Sequence, residues 1–383
     1  ADPTRGGGSI VLAVSPYLKS LGVPSRCRVY ELPKDIDIVM IKPRMSLYLE
    51  YAARIVEIYL RFISENDLYV YSVDEAFLDI TSYLNYYQKT DFELAKTILD
   101  TIHQETKLFA TCGIGPNMLM SKLALDIESK KSPDFIAKWT YADIEKKLWP
   151  VTPLSQMWGI GLNMQRNLNR LGLIKIGDIA HYDPKELKRH FGILGEELYH
   201  HTYGLDMSLI QQKHTVRSIN KSFGMNQTLF EDYHEPEIYQ IIMEMVDDVC
   251  RRLRIAKKLA KTVHLGIGYS KDIGGGFVRQ LKMERPTSSE SVVFDYCLDL
   301  FHTFYTGDPM RLVHVGLSGL VESHVYQFSL FEDAERLVKE KMLFTAMDEI
   351  KFKYGKNSIN RASTEFKHST IKARNKMIGG HHV

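Results

Sequence analysis

From Met45 to Ile63 the run MSLYLEYAARIVEIYLRFI returns to an apolar residue every three or four positions, the rhythm of one helical face. FELAKTILDTIHQETK (92–107) and NMLMSKLALDIESKK (117–131) repeat that rhythm, so three helices are predicted here. The runs between them have strand length. SIVLAV (9–14) reads as a short buried strand, and SPYLKSLGVPSRC (15–27) as a short helix between Ser-Pro and Gly-Val punctuation. DLYVYSV and EAFLDIT (67–73 and 75–81) meet at an acidic pair and suggest a hairpin, while LFATCGIG (108–115) predicts a strand ending in a glycine turn.

Composition shifts at Pro150 and Pro153, and residues 154–205 read as short helices around GIG and LGL. SLIQQKHTV (208–216) is polar enough to be a linker. Beyond it the alternating runs TVHLGIGY, GFVRQLKM and LVHVGLSGL surround helical stretches at 235–260 and 289–305, which predicts a separate α+β unit. From Phe331 a helix runs to about Gly355, followed by a basic, irregular segment.

A chain of 383 residues is too long for one compact core, so two to four domains are expected. A net charge of +2 decides nothing about a nucleic-acid partner, because the position of the charge matters more than its sum. Cys27, Cys112, Cys250 and Cys297 lie far apart with no C-x-x-C pair, which argues against a zinc site and a disulfide framework and for a reducing, cytoplasmic setting. No apolar run is long enough to span a membrane. The chain opens ADPTRGGG without an initiator methionine, as a piece of a longer protein would.

The chemistry concentrates at Asp74 and Glu75, two acids set in the hydrophobic frame YSVDEAFLDIT (71–81). Unpaired carboxylates are strongly penalised inside a core. Val70, Val73, Ala76, Phe77, Leu78 and Ile80 make the frame look like a core hairpin. At a tight turn both acids could point to one place, and two hard oxygen ligands there suit Mg²⁺, which binds one or two carboxylates together with substrate phosphates.

SVDEAFLDIT resembles the central catalytic motif of Y-family DNA polymerases, the DinB/UmuC translesion group. Further segments follow in that family's order. TCGIGPNMLMSKLALDIESKKSP is similar to its strand–helix segment, MWGIGLNMQRNLNRLGL to the helix-hairpin-helix of its thumb, and INKSFGMNQTL to the start of its little finger. The glycine-rich opening and KSLGV look like fingers, and the tail ending RNKMIGGH is most like the UmuC-like branch of Gram-positive bacteria. The resemblance implies an α+β right-hand polymerase: fingers 1–48, palm 49–150 with a mixed sheet, thumb 151–207, linker 208–216, little finger 217–326, and a tail 327–383.

It also implies site residues. Asp74 and Glu75 would be catalytic ligands of two Mg²⁺ ions. A third ligand, an aspartate on the first palm strand followed by an aromatic steric gate, has no counterpart in the sequence, so the chain is expected to hold an incomplete active site. Lys19, with Tyr17 displaced by one position from the family pattern, and Lys130 or Lys131 would hold the triphosphate as point charges. Gly159, Ile160 and Gly161 would let backbone amides approach a DNA phosphate. RRLRIAKKLAK (251–261) holds six basic residues and no acid, so Arg251, Arg252 and Arg254, with Lys221, are candidates for tracking DNA phosphates. QFSLF (327–331) fits the bacterial sliding-clamp pattern, with Gln327 in a polar pocket and Leu330 and Phe331 in an apolar one. The tail from 334 to 383, with eleven Lys/Arg against five Asp/Glu, could bind DNA or a partner protein.

The activity implied is error-prone, template-directed transfer of dNMP from dNTPs to the primer end of primed template DNA. The alternative is a non-catalytic DNA- and clamp-binding relative. A nucleotidyl cyclase shares paired acids on a hairpin, but the thumb-like and little-finger-like segments argue against it.

Overall fold

The computed structural model describes residues 1–2, 7–215, 221–323, 334–378 and 381–382. The chain divides into residues 46–217 and residues 1–45 with 218–383. In the first 44 residues the one α-helix, among those described, is α1 (Pro16–Ser20), capped by the Ser15 hydroxyl. The strand expected at 9–14 is reduced to one bridge, Ile10 to Arg28. Val11 and Val14 are buried against Val23 and Cys27 as expected of apolar residues, but prolines at 16 and 24 lack the amides a longer ladder would need.

In the unit 46–217, α2 (Met45–Tyr59) stops short of Ile63, because the amides of Phe62 and Ile63 both turn back to the Tyr59 carbonyl. The hairpin forms: β1 (Leu68–Val70) pairs antiparallel with β2 (Ala76–Leu78), with Tyr69 opposite Phe77, and the acids sit in its turn. It is not a core hairpin. Val70 and Val73 are 49% and 48% exposed, and only the side carrying Leu78 and Ile80 packs on a helix. A ribbon with helices on one side buries alternate residues, and the sequence frame was continuous because both sides carry apolar residues.

The helical layer follows: α3 (Tyr83–Tyr87), then α4 (Asp91–Thr106), started by a reciprocal Thr90–Glu93 capping box and buried through Leu94, Ile98 and Ile102. β3 (Cys112–Ile114) leads into α5 (Met118–Ile127), whose first turn is capped by Asn117, and β4 (Ile136–Lys138) lies parallel to β3. Strand and helix pack backbone to backbone. A Cβ at Gly113 would stand 2.0 Å from the Ser121 carbonyl oxygen and 2.4 Å from the Leu125 amide. Gly113→Ala is therefore expected to lower stability by about 1–3 kcal/mol or more, read from a urea midpoint. The mixed palm sheet expected from the resemblance is instead two separate two-stranded pieces, β1–β2 and β3–β4.

The all-helical reading of 154–205 agrees with α6 (Leu162–Arg170), α7 (Ile176–Ala180), α8 (Pro184–Phe191) and α9 (Ile193–Thr202), packed around Leu154, Leu168, Ile176 and Leu187. The stretch expected as a linker contains a helix, α10 (Ile210–Thr215). Ile210 is buried, and the Gln211 amide donates to Asp67 at 2.9 Å, which ties the segment to the foot of the hairpin.

The segment 218–383 carries β5 (Ser222–Tyr233), α11 (Glu237–Ile255), β6 (Lys258–Tyr269), β7 (Gly276–Thr287), α12 (Glu290–Phe304), β8 (Met310–Ser318) and β9 (Val321–Glu322). Strand order is β5-β8-β6-β7, antiparallel throughout, with β9 added to the start of β6. Val263, Leu265, Val313 and Val315 meet Ile241, Met245 and Phe301 of the two helices in one dry layer. The helix expected to reach residue 260 ends at Ile255; Lys257 takes a positive φ of 54° and β6 begins at Lys258.

The tail is not a free arm. It forms α13 (Ala334–Tyr354) and α14 (Ile371–Asn375). Lys351 pairs with Asp247 at 2.8 Å, Arg361 with Glu290 at 2.5 Å, and Arg374 donates to Gln227 at 2.8 Å. Part of the basic charge that suggested a DNA or protein partner thus neutralises acids of α11 and α12. All four cysteines are free. Among the described residues no helix is long and apolar enough to cross a membrane.

Candidate active site

The edges of β2 and β3 border one cleft of ≈ 410 Å³ in the unit 46–217, with Ile98 of α4 and Ser121, Lys122 and Leu125 of α5 along it and Leu209 and Ile210 at one end. Its walls are largely apolar. Burial pushes the Tyr59 phenol and the Cys112 thiol each up to about 12, so neither ionises near neutrality.

Glu75 lines this cleft and Asp74 does not. The two acids have different partners. Glu75 accepts a 2.6 Å bond from the Lys122 ammonium, whereas Asp74 accepts a 2.7 Å bond from the Ser72 hydroxyl. The shared inward direction expected from the sequence is not reproduced by these contacts. The turn itself is closed by the amides of Tyr71 and Ser72, both bonded to the Glu75 carbonyl at 3.0 Å.

Lys122 was not singled out by sequence reasoning. It is 7% exposed and sits on α5 between Glu75 and Asp126, the latter at 3.2 Å. Burial alone would lower its pKa, but the hydrogen bond to Glu75 and the charge of Asp126 hold the ammonium above its ordinary value. The available signal was SKLALD, which sets a lysine and an acid four residues apart on one helical face. Among the described residues no group of three or more His, Cys, Asp or Glu side chains could hold a metal. The oxygens of Asp74 and Glu75 have the hardness that Mg²⁺ requires.

Lys130 and Lys131 lie exposed in the turn of helix that follows α5, and Lys19 and Tyr17 are exposed on α1. Gly159 has a φ of +94° and Gly161 is the N-cap of α6. An added Cβ at either glycine would meet nothing within 4 Å, so this backbone is open to approach.

The basic run on α11 is largely paired with acids and a backbone carbonyl and does not form a free phosphate-facing patch. Arg254 is 11% exposed at its side chain, bonded to Asp348 at 2.7 Å and Glu290 at 2.9 Å, and is therefore not available to phosphates. Arg251 pairs with Asp248 at 3.1 Å, and Arg252 donates to the Gly224 carbonyl at 2.7 Å. Their helix packs on the sheet, and a charge run read as a helix end divides between helix, turn and strand. Lys221 is exposed just before β5.

The sheet's other face went unnoticed in the sequence. Its cross-strand rows are Ser222–Ser318–Thr262–Lys282, Gly224–Gly316–His264–Gln280 and Asn226–His314–Gly266–Val278. These rows hold no carboxylate. His264 meets Ser318 at 2.6 Å and His314 meets Asn226 at 2.7 Å. Partial burial, with His314 nearby, holds the His264 pKa below its usual value. Gln327, Leu330 and Phe331 lie outside the described residues.

The impB/mucB/samB family matches residues 2–126, and the C-terminal domain of that family matches residues 220–330. The chain is 42% identical over 378 residues to "Putative UV-damage repair protein UvrX" of Bacillus subtilis (strain 168), covering 98% of this chain and 88% of that one. It is 34% identical over 388 residues to "DNA polymerase IV 2" of the same organism, covering 100% and 91%. A solved structure of a Y-family DNA polymerase chimera of Dbh and Dpo4 superposes with a TM-score of 0.61 at 20% identity, covering 83% of this chain and 90% of that one.

Proposed function

The chain belongs to the impB/mucB/samB family of UmuC- and DinB-like Y-family DNA polymerases, and from that premise we propose that it copies damaged DNA through the turn bearing Asp74 and Glu75. It is a DNA-directed DNA polymerase by family. The observation that carries the reading is Glu75, aimed into a cleft bordered by two strand edges and met there by a buried ammonium.

In this reading an extended segment carrying the third carboxylate seats in the cleft between β2 and β3. Both edges offer unpaired backbone groups, the usual invitation to an added strand. Asp74 and Glu75, with that third acid, would hold two Mg²⁺ ions, which would supply the Lewis acidity for activating a primer 3′-hydroxyl and offsetting the charge of a leaving pyrophosphate. The protein's own part is charge and position. Lys122 holds Glu75 in place through its 2.6 Å hydrogen bond, and Lys130 or Lys131, with Lys19 and Tyr17, meets the triphosphate. The Gly159–Gly161 amides hold a backbone phosphate. The three acid-free rows of the sheet, with Lys221 beside them, follow the duplex without reading its sequence. The fingers, palm, thumb and little-finger boundaries given above are retained as domain assignments. Gln327, Leu330 and Phe331 are proposed to bind the bacterial sliding clamp, and substituting Leu330 and Phe331 with alanine is expected to abolish clamp pull-down.

Primer extension tests the main reading. Residues 1–383 alone are expected to add nucleotides at background rate. A separate peptide carrying an aspartate and a following aromatic residue on a strand-forming sequence is expected to restore Mg²⁺-dependent addition. Robust incorporation by residues 1–383 alone would show that the cleft needs no such segment.

A further inference from the structure

Trp158 bridges two features of the unit 46–217 that the proposed function assigns to different tasks. It directly precedes Gly159, and its ring packs on the helical core containing Leu154, Ile160 and Leu168. The same ring meets Tyr71 edge-on at 5.8 Å and Phe77 at 6.1 Å. Its indole N–H donates to the Tyr71 hydroxyl at 3.2 Å. Tyr71 is itself built into the acid-bearing turn, since its amide donates to the Glu75 carbonyl at 3.0 Å. The next residue, Ser72, donates its hydroxyl to Asp74. A short, continuous set of contacts therefore runs from the glycine turn to the two acids.

Hydrophobic burial does not account for this contact. Tyr71 is 41% exposed, and apolar rings would fill the same place without any hydrogen-bonding group. Edge-to-face pairs add about 0.5–1.5 kcal/mol beyond the area they bury, and they fix angle as well as distance. Tyr69 and Phe77 stack across the hairpin at 6.3 Å, with the Tyr69 ring 6.2 Å and the Phe77 ring 5.8 Å from that of Tyr71.

Resting on the polymerase reading, we infer that Trp158 and Tyr71 are positioning residues that set the reach from the phosphate grip at Gly159–Gly161 to the Asp74–Glu75 turn. A grip on the primer–template backbone then places the primer end in register with the carboxylates. A displacement of about 1 Å at a reacting centre can cost about 10²-fold in rate, so a modest loosening has a large reading.

The test uses residues 1–383 together with the aspartate-bearing peptide of the primer-extension assay. Trp158→Ala is expected to lower kcat about 10- to 100-fold, with the dNTP KM and duplex Kd each held within about threefold and an unchanged circular dichroism spectrum. Tyr71→Phe removes only the hydroxyl and with it the hydrogen bond, Trp158→Phe removes that bond together with part of the ring contact, and both serve if the alanine variant does not fold. Each is expected to lower kcat severalfold, and the pair together no more than either alone. A structural role alone would lower the melting temperature and leave kcat untouched, and that result overturns the inference. A loss of kcat matched by an equal loss of duplex affinity also overturns it. If the unsubstituted protein does not extend primers, the polymerase reading itself fails and this inference falls with it; an active parent with equally active variants sinks the inference alone.

Discussion

Glu75→Gln, in residues 1–383 supplied with the aspartate-bearing peptide proposed above, is expected to lower nucleotide addition by about 10²–10³-fold while leaving the fold intact, the scale set when one preorganised electrostatic partner is removed from a reacting centre. The substitution keeps the shape of the side chain and deletes its charge. Lys122 would still have Asp126 at 3.2 Å, so the buried ammonium keeps one counter-charge and α5 has no reason to unravel. Primer extension measured beside a urea melt separates the effects, with kcat lost and the unfolding midpoint held. Duplex affinity should not change, because the proposed phosphate contacts are elsewhere. Lys122→Met is the complementary change. It leaves Glu75 and Asp126 facing each other without a cation, so activity and stability are expected to fall together. If Glu75→Gln retained full rate, the hairpin turn would not be the reacting centre, however closely the sequence motif fits.

Some of this site was legible before any coordinates. The acid pair at a hairpin turn could be read because strand-length apolar runs meet there, and the glycine turn before α5 because Gly113 and Gly115 stand where helix and strand backbones nearly touch. The amphipathic helices α4 and α5 followed from their rhythm, and Thr90 and Asn117 start them with side-chain caps. What stayed hidden depended on long-range pairing. Nothing local shows that Lys122 turns toward an acid 47 positions earlier. That β1–β2 and β3–β4 form two separate pieces depends on which strands pair, to which a single run is blind. The open sheet face was written as alternating small and polar residues, among them Gly224, His264, His314 and Gly316, but alternation says nothing about which strands become neighbours. Arg254 misled because a run of basic residues looks solvated until the acids it meets, Glu290 and Asp348, are brought in from 36 and 94 residues away.

Those same acids predict the largest change in stability. Arg254→Met is expected to destabilise the segment 218–383 by about 3–5 kcal/mol, the range for breaking one partner out of a buried ion pair. Glu290 is fully buried, and besides Arg254 its carboxylate has Arg361 at 2.5 Å. Asp348 on α13 takes both an Nε and an Nη bond from Arg254, at 2.7 and 3.0 Å, so the guanidinium fastens the tail to α11 and α12 as a fork that lysine cannot reproduce. Arg254→Lys should accordingly recover little of the loss. By contrast Lys339 and Glu335, both well exposed on α13, form a pair whose removal should change stability by no more than about 1 kcal/mol. The network also carries a pH signature. Burial and the adjacent Asp247 push Glu290 up to about 7, against the pull of Arg254 and Arg361. The folded protein then holds a proton that the unfolded chain has released by pH 4.5–5, so stability falls as pH rises from the ordinary glutamate range to about 7 and levels off above it. Glu290→Gln cannot titrate and should flatten that slope. Urea midpoints taken from pH 4.5 to 8 on the parent and on Glu290→Gln decide it: a parent whose midpoint rises across this range relative to that of Glu290→Gln would reverse the sign and place the Glu290 carboxylate, charged, in the fold throughout.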